Sequence, residues 1–419
     1  MTATDSERTS RIQEALGNAG FNAVVCALPA NVLLLTGYWP VVGESIAICV
    51  RDGPTVLLVP EDEQELAEKS FGGPIETFRP GSLHEMTSIP DVVRLRLAEV
   101  FHQLKIHRGS IGVEDGPVSE PASYVAVHLY GQRLAAMLED LLPESKVTGL
   151  NRWLRDLRSV KTAFELERIR QACDIVRHSY EMGAPRLRAG MKEPEAAALF
   201  RPLLSSTQVS GPEIQRRDGY VFCMSGPNSA NAFAAYARTR ERTLEPADLV
   251  MIHCDSYVDG FWTDITRTYH LQSPEERQRK MHEAVFAARK AALAAIKPGV
   301  RAAEVDLAAR QVIQDFGFGK DFKHGTGHGV GFSPMSAYSF PRVHPGSPDV
   351  LSEGMVFNVE PAVYIEGYGG VRHCDMVAVT ASGYQLLTNF QAGIESLTVE
   401  ASRKLKGEHT VAAHTKTAS

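Results

Sequence analysis

Two short stretches in the second half of the chain constrain its fold most. The first is Leu249-Val-Met-Ile-His253-Cys254-Asp255-Ser-Tyr-Val-Asp259-Gly260-Phe-Trp-Thr-Asp264-Ile-Thr-Arg-Thr268, which reads as two strands around an Asp-Gly turn. Side chains alternate across a strand, so His253 and Asp255 share one face and Cys254 takes the other. The returning strand can bring Asp264 to His253. The second is His324-Gly-Thr-Gly-His328-Gly-Val-Gly331, followed by Val359-Glu360-Pro361 and by Gly370-Val-Arg372-His373-Cys374-Asp375. Glycines at every second position there let backbone close around a pocket. Glu360 ends the apolar run Met355-Val-Phe-Asn-Val. A carboxylate buried there needs a partner, because burying it bare costs several kcal/mol; a metal ion or Arg372 would serve. Alternation places Arg372 and Cys374 on one face, with His373 and Asp375 on the other.

The rest of the chain sets the frame for these motifs. Its 419 residues suffice for two or three domains with their own cores. At 44% apolar and 22% charged residues it has the composition of a soluble globular protein. The net charge of −6 argues against a nucleic-acid partner, which calls for a basic stripe. No apolar run reaches the roughly 18 residues of a membrane span. The polar start Met1-Thr-Ala-Thr-Asp-Ser-Glu-Arg8 lacks the apolar centre of a secretion signal. Cys26, Cys49, Cys173, Cys223, Cys254 and Cys374 have no framework spacing and read as reduced thiols, so a cytoplasmic location is expected.

Up to about residue 155 helix and strand signals alternate. Arg11–Gly17 is amphipathic, and Ala23–Cys26 and Val32–Leu35 read as strands. Ser45–Val50 and Thr55–Val59 flank the hairpin signal Asp52-Gly53, Asp91–Lys105 has helical periodicity, and Ser110–Val113 returns to strand. This is an α/β pattern. Long helices follow. Thr162 and Glu165 have the spacing of a capping box, ahead of Leu166, Ile169, Cys173, Val176 and Tyr180 on one helical face. Ser273-Pro274-Glu275-Glu276 predicts another helix start, with the stop at Pro298-Gly299. The polar residues from about Ser402 read as a mobile tail. The organisation expected is therefore 1–155, 156–401 and a tail over 402–419.

The motif set, in its order and spacing, resembles the active-site frame of the pita-bread superfamily, which includes methionine and Xaa-Pro aminopeptidases, prolidases and creatinase. Leu157-Arg158 through Arg170-Gln-Ala172 resembles the entry to that family's catalytic domain, and the N-terminal part resembles its creatinase-type domain. The resemblance implies an α+β protein: a creatinase-type α/β N-terminal domain plus a C-terminal pita-bread domain. It also implies a homodimer in which the partner's N-terminal domain closes the pocket and the loop Thr36-Gly37-Tyr38-Trp39 reaches across, giving Tyr38 and Trp39 as substrate-binding candidates.

The family usually holds two metal ions with Asp, Asp, His, Glu and Glu. Asp264, His328 and Glu360 match three of these ligands. The first Asp position reads His253 and the last Glu position Cys374, and Arg372 matches a family arginine beside the metals. Two substrate-side histidines fall on Tyr236 and Met335, while His324 is kept beside the site. Three ligands plus water suit one divalent ion. Adding His253 and Cys374 favours zinc, iron or cobalt over manganese.

Three readings of the chemistry stand side by side. One is a remodelled, mononuclear hydrolase of a C–N bond in a small amide, amidine or Xaa-Pro-type dipeptide. The second is a metal-free enzyme resembling creatinase or ectoine hydrolases, with Glu360 or Asp264 as acid or base, or with Cys374 as nucleophile and His253 as its base. The third is a catalytically silent binding protein on the same fold.

Overall fold

The computed structural model describes residues 5–80, 88–115, 131–206, 214–234, 236–334 and 339–399. The chain begins with α1 (Ser6–Ala19), capped by Asp5, whose carboxylate accepts the N–H of Arg8 at 3.0 Å. There follow β1 (Ala23–Cys26), α2 (Pro29–Thr36), β2 (Ile46–Val50), β3 (Thr55–Pro60), α3 (Gln64–Ser70), β4 (Ile75–Phe78), α4 (Ile89–Gln103), β5 (Arg108–Val113), α5 (Gln132–Leu141), β6 (Glu144–Gly149) and α6 (Asn151–Ser159). The six strands form one mixed sheet in the order β4-β3-β2-β1-β5-β6. Period-2 alternation sorts its two faces. Val24, Cys26, Ala47 and Cys49 pack with Ile12 and Leu16 of α1. Ala23, Val25, Ile46 and Ile48 pack with Val93 and Leu97 of α4 and with Leu134 and Leu138 of α5.

The expected hairpin at Asp52-Gly53 is present, with Asp52 at φ +57°. The expected strand at Val32–Leu35 is instead the core of α2. Every residue of this helix is buried, so its sequence lacks the polar face by which helices are read. Its cap is also remote. The Glu114 carboxylate, just after β5, accepts the N–H groups of Ala27 (2.8 Å) and Leu28 (2.9 Å) and the Asn31 amide (2.8 Å).

In the second half, α7 (Ala163–Gly183) starts at the Thr162/Glu165 capping box, and Glu165 also receives the buried Arg8 guanidinium at 2.5 Å. The elements that follow are α8 (Glu193–Ala198), β7 (Arg217–Ser225), β8 (Leu249–Val258), β9 (Phe261–Trp262), β10 (Ile265–Leu271), α9 (Glu276–Ala295), α10 (Ala302–Asp315), β11 (Gly327–His328), β12 (Arg342–Val343), β13 (Val356–Val359), β14 (Ala362–Ile365), β15 (Gly369–Arg372), β16 (Asp375–Thr380), β17 (Gly383–Leu386) and β18 (Thr398–Val399). Helix α9 begins just after Ser273-Pro274, because Glu275 is the cap and pairs reciprocally with Gln278. One sheet runs β18-β10-β8-β7 with β9 on β8, and a second runs β13-β16-β17. The bridge Thr266↔Cys374 stitches the two together.

Helices cover the outside. Ile169, Cys173, Val176 and Tyr180 of α7 share a core with Ile252, Cys254, Ile265 and Tyr269. Helices α9 and α10 bury Met281, Val285, Val305 and Ala309 against Val359, Val363, Val371 and Val377. Apolar side chains therefore go outward to the helices, and the polar side chains of the motifs are left facing one another between the sheets. Among the described residues no helix is long and apolar enough to cross a membrane. The segment 402–419 lies outside the described residues.

A pair of buried histidines links β10 to α9. The rings of His270 and His282 are 4.5 Å apart, and His270 Nε2 and both His282 nitrogens lack a hydrogen-bond partner among the described residues. Burial lowers the pKa of His270 to about 4 and that of His282 well below its usual value. The unfolded chain takes up these protons near pH 6.5, whereas the folded chain refuses that of His270 until about pH 4 and keeps His282 neutral well below its usual range. Stability is therefore complete above pH 6.5 and is lost as pH falls toward 4. Each histidine contributes about 2 kcal/mol of this loss between pH 7.5 and pH 5, so in urea unfolding His282→Phe should lose about 2 kcal/mol less than wild type over that range.

Candidate active site

The site is built where four chain segments converge. Strand β8 presents His253 and Asp255 on its inner face. The chain turns at Asp259 (φ +49°) and Gly260 (φ +88°), where a Cβ on the glycine would meet the Trp39 ring at 2.6 Å. It returns through β9 to Asp264, just before β10. Pairing of Thr266 with His253 sets the register, so Asp264 Oδ1 lies 3.7 Å from His253 Nδ1. His328 comes from β11. Its Nε2 is 3.4 Å from Asp264 Oδ2 and 3.9 Å from Glu360 Oε1. Glu360 follows β13 and is fixed by its N–H on Thr326 O at 2.7 Å. Arg372 ends β15, with Nε 3.9 Å from Glu360 Oε2. Cys374 follows, and its thiol donates to Asp264 O at 3.1 Å. Cys374 stays behind the wall, while His253, Asp255, Asp264, His328, Glu360 and Arg372 line a cavity of about 190 Å³ that Tyr236, Arg342 and the more exposed Phe233 and His344 complete.

Hydrogen-bond directions decide what each histidine can do. His328 Nδ1 faces Gly329 O at 3.1 Å; a carbonyl only accepts, so Nδ1 carries the proton and the Nε2 lone pair faces Asp264 and Glu360. Asn358 Oδ1 accepts the His328 N–H at 2.7 Å, which turns Nδ2 toward Asp264 Oδ2 (3.1 Å) and His328 Nε2 (3.2 Å). His253 is arranged the other way. Arg372 Nε donates to Thr266 Oγ1 at 3.1 Å. That hydroxyl (2.9 Å) and Arg372 Nη2 (3.1 Å) both donate to His253 Nδ1, which leaves the ring proton on Nε2, 3.3 Å from Asp255 Oδ2. His324 is committed to support. Its Nδ1 donates to Gly325 O at 2.7 Å, and its Nε2 receives the Tyr364 hydroxyl at 2.9 Å.

Charge follows the same map. Burial works against an imidazolium at His328, yet Asp264 and Glu360 push its pKa up to about 9, so Nε2 carries a proton at neutral pH until a metal cation displaces it and takes the lone pair. Burial likewise opposes the Asp264 carboxylate, but His253, His328 and Arg372 hold it well below the usual range. Burial raises Asp255 and pushes the Cys374 thiol far up. A lone pair and two carboxylates aimed at one point form a donor set for a cation. Asp264, Glu360 and Cys374 offer ligand atoms within 4.8 Å of one another, as do His253, Asp255 and Asp264. Asp264, His328 and Glu360 thus fit a divalent ion with open positions for water or substrate. Cys374 could join them only by losing its proton. His253 cannot ligate in this tautomer, because one ring nitrogen accepts two hydrogen bonds and the other bears the proton. No hydrogen bond joins Cys374 to His253 among the described residues, and a buried neutral thiol is a poor nucleophile.

The model of metallopeptidase family M24 matches residues 167–381. The chain belongs to that family. It is 30% identical over 386 residues to an Xaa-Pro dipeptidase of Pyrococcus furiosus, covering 91% of this chain and 97% of that protein. Its fold superposes on the prolidase of Pyrococcus horikoshii with TM-score 0.73 at 27% identity, covering 93% of this chain and 100% of that one. It also shares the fold of an X-Pro aminopeptidase of Thermotoga maritima, with TM-score 0.75, 22% identity, and coverage of 94% and 99%. The M24 architecture is thus an α+β one: the creatinase-type N-terminal domain and the C-terminal pita-bread domain implied by the motifs.

Within this M24 fold, His253, Asp264, His328, Glu360, Arg372, Cys374, Tyr236 and His324 come together as expected, with the Tyr236 ring 5.2 Å from that of His253. Tyr38 and Trp39 do not line the cavity of their own chain. Tyr38 is buried with its hydroxyl on Glu63, and Trp39 packs on Tyr257 (4.9 Å) and gives its carbonyl to Arg216. Met335 lies outside the described residues. Sequence reasoning passed over Asp255, Asn358, Arg342 and His344. The first two had a signal, since each stands two residues from a site residue on a strand; Arg342 and His344 had none. All six thiols are buried, and burial raises the pKa of each. In native, metal-free protein a thiol reagent should label fewer than about one cysteine per chain, and all six only after unfolding; prompt labelling of Cys374 would revive the nucleophile reading.

Proposed function

We propose that the protein hydrolyses the C–N bond of an Xaa-Pro-type dipeptide at a mononuclear centre. The observation that carries this reading is the tautomer-fixed His328, whose Nε2 lone pair faces Asp264 and Glu360 beside a cavity sized for a small ligand. Asp264, His328 and Glu360 would hold one divalent ion. If Cys374 ionises beside it, zinc, iron or cobalt is favoured over manganese. Such an ion, when bound, supplies an acidified water and a polarised carbonyl. Arg342 and His344 receive the substrate carboxylate, and Phe233 offers an apolar wall. Glu360, steadied by Arg372, takes the proton of the attacking water on a carboxylate oxygen and returns it to the leaving proline nitrogen as the C–N bond breaks. Tyr236 donates its hydroxyl toward the amide.

The same proposal treats 156–401 as the catalytic unit and 1–155 as its N-terminal companion, and it includes homodimerisation. Six free buried thiols support a reducing, cytoplasmic setting.

Elemental analysis of freshly purified protein should give about one zinc, iron or cobalt per chain. Alanyl-proline should be cleaved, the activity should vanish on chelation, and it should return with metal. Arg342→Ala should raise KM about tenfold or more with kcat changed far less, the loss of one charge-assisted contact. Folded protein with near-zero metal and no dipeptide cleavage under added metal would falsify this reading and favour the metal-free hydrolase.

A further inference from the structure

Asp255 is the one buried acid of the cavity with an idle oxygen. Its Oδ2 lies 3.3 Å from His253 Nε2, whereas its Oδ1 is buried and has no hydrogen-bond partner among the described residues. The side chain lines the cavity. A carboxylate oxygen left bare in a protein interior is costly, so such an atom points to a donor that arrives with a ligand.

Two kinds of donor could arrive: a second metal ion or a cationic nitrogen. A second ion at His253, Asp255 and Asp264 needs a lone pair on His253. Arg372 Nη2 and the Thr266 hydroxyl already occupy Nδ1, so the ring proton sits on Nε2 and that nitrogen donates. Only two carboxylates then remain, too few for a closed ion site in this corner. An ammonium group asks for something else: two or three acceptors and no lone-pair nitrogen. The ligand atoms of Asp255, Asp264 and His253 all lie within 4.8 Å of one another, close enough for one nitrogen to reach both carboxylates. The Tyr236 ring, which lines the same cavity, adds a π-face for a cation.

We infer that Asp255, together with Asp264, forms the subsite for the substrate's cationic α-nitrogen, in the corner where a second metal ion would otherwise stand. Asp255 selects a free, charged amine next to the scissile bond, and His253 positions Asp255 through its Nε2–H. The inference rests on the single-ion reading above and narrows the substrate class to unblocked dipeptides.

The test compares alanyl-proline with propionyl-proline, identical except for the ammonium group, on metal-loaded full-length protein. Wild type should prefer alanyl-proline in kcat/KM by about 30-fold, the worth of a buried charge-assisted contact. Asp255→Asn, checked by thermal melting and metal content, should shrink that preference to about threefold or less while metal stays near one ion per chain. Preference retained in Asp255→Asn overturns the inference. So does a fall in its metal content from two ions to one, which would make Asp255 a ligand. If Asp255→Asn does not fold, the wild-type ratio decides: no preference overturns the inference. If neither compound is cleaved, the hydrolase reading fails separately. The same pair is then compared by calorimetric binding, where about tenfold tighter binding of alanyl-proline supports the subsite and equal affinity overturns it.

Discussion

The buried guanidinium of Arg267 holds the two inner sheets in register, and the site depends on that register. Arg267 is fully buried in β10. Its Nη1 donates to Thr266 O (2.9 Å) and Cys374 O (2.7 Å), and its Nη2 to Asp375 Oδ1 (2.7 Å), Thr388 O (3.1 Å) and Phe390 O (3.0 Å). One side chain thus ties β10, the β15–β16 junction and the 388–390 segment to a single point. Arg289 covers the other oxygen of Asp375. A buried pair of this kind is weak evidence for net stability, but breaking it by removing one partner costs about 3–5 kcal/mol. Its geometric consequence is larger: it seats the Thr266↔Cys374 bridge, and through that bridge Asp264, Cys374 and Arg372 hold fixed relative positions.

Arg372 then distributes direction within the cavity. It donates to Thr266, to His253 and, at 3.4 Å, to the Tyr364 hydroxyl, which in turn satisfies His324. An arginine never accepts, so every bond it makes sets the polarity of its partner. Two histidines in one cavity are thereby given opposite roles: His328 offers a lone pair, and His253 offers a proton.

Most of the C-terminal frame was legible because strand period and turn chemistry are local. His253 stands in mid-strand and Asp264, His328 and Glu360 at strand ends, at spacings that can be read directly from the sequence. Asp255 was equally legible in placement, one pleat from His253 on the same face, but its idle oxygen appears only in three dimensions. The fate of His253 was not legible, because the Arg372 bond comes from 119 residues away. Helix α2 was misread for the same reason: its cap, Glu114, is more than 80 residues downstream, and its all-buried surface erases the amphipathic signal. Tyr38 and Trp39 carried a loop signature, yet their aromatic surfaces are taken up by packing within the chain, on Tyr257 and Trp262 for Trp39.

Charge balance ties the cavity to its ligand. Asp255, Asp264 and Glu360 face the buried Arg372, while the second arginine of the cavity, Arg342, lies half-buried at its wall. One divalent ion brings that inner set to neutrality; a second would leave it positive in a low-dielectric space, where uncompensated charge is expensive. A dipeptide zwitterion then adds no net charge. On the proposed reading its ammonium would fall to the acid-rich corner of Asp255 and Asp264, and its carboxylate to Arg342 and His344. On the proposed single-ion reading His253 and Cys374 act together: neither offers a carboxylate to a second ion, and His253 leaves the corner of Asp255 and Asp264 to a charge that the substrate itself would carry.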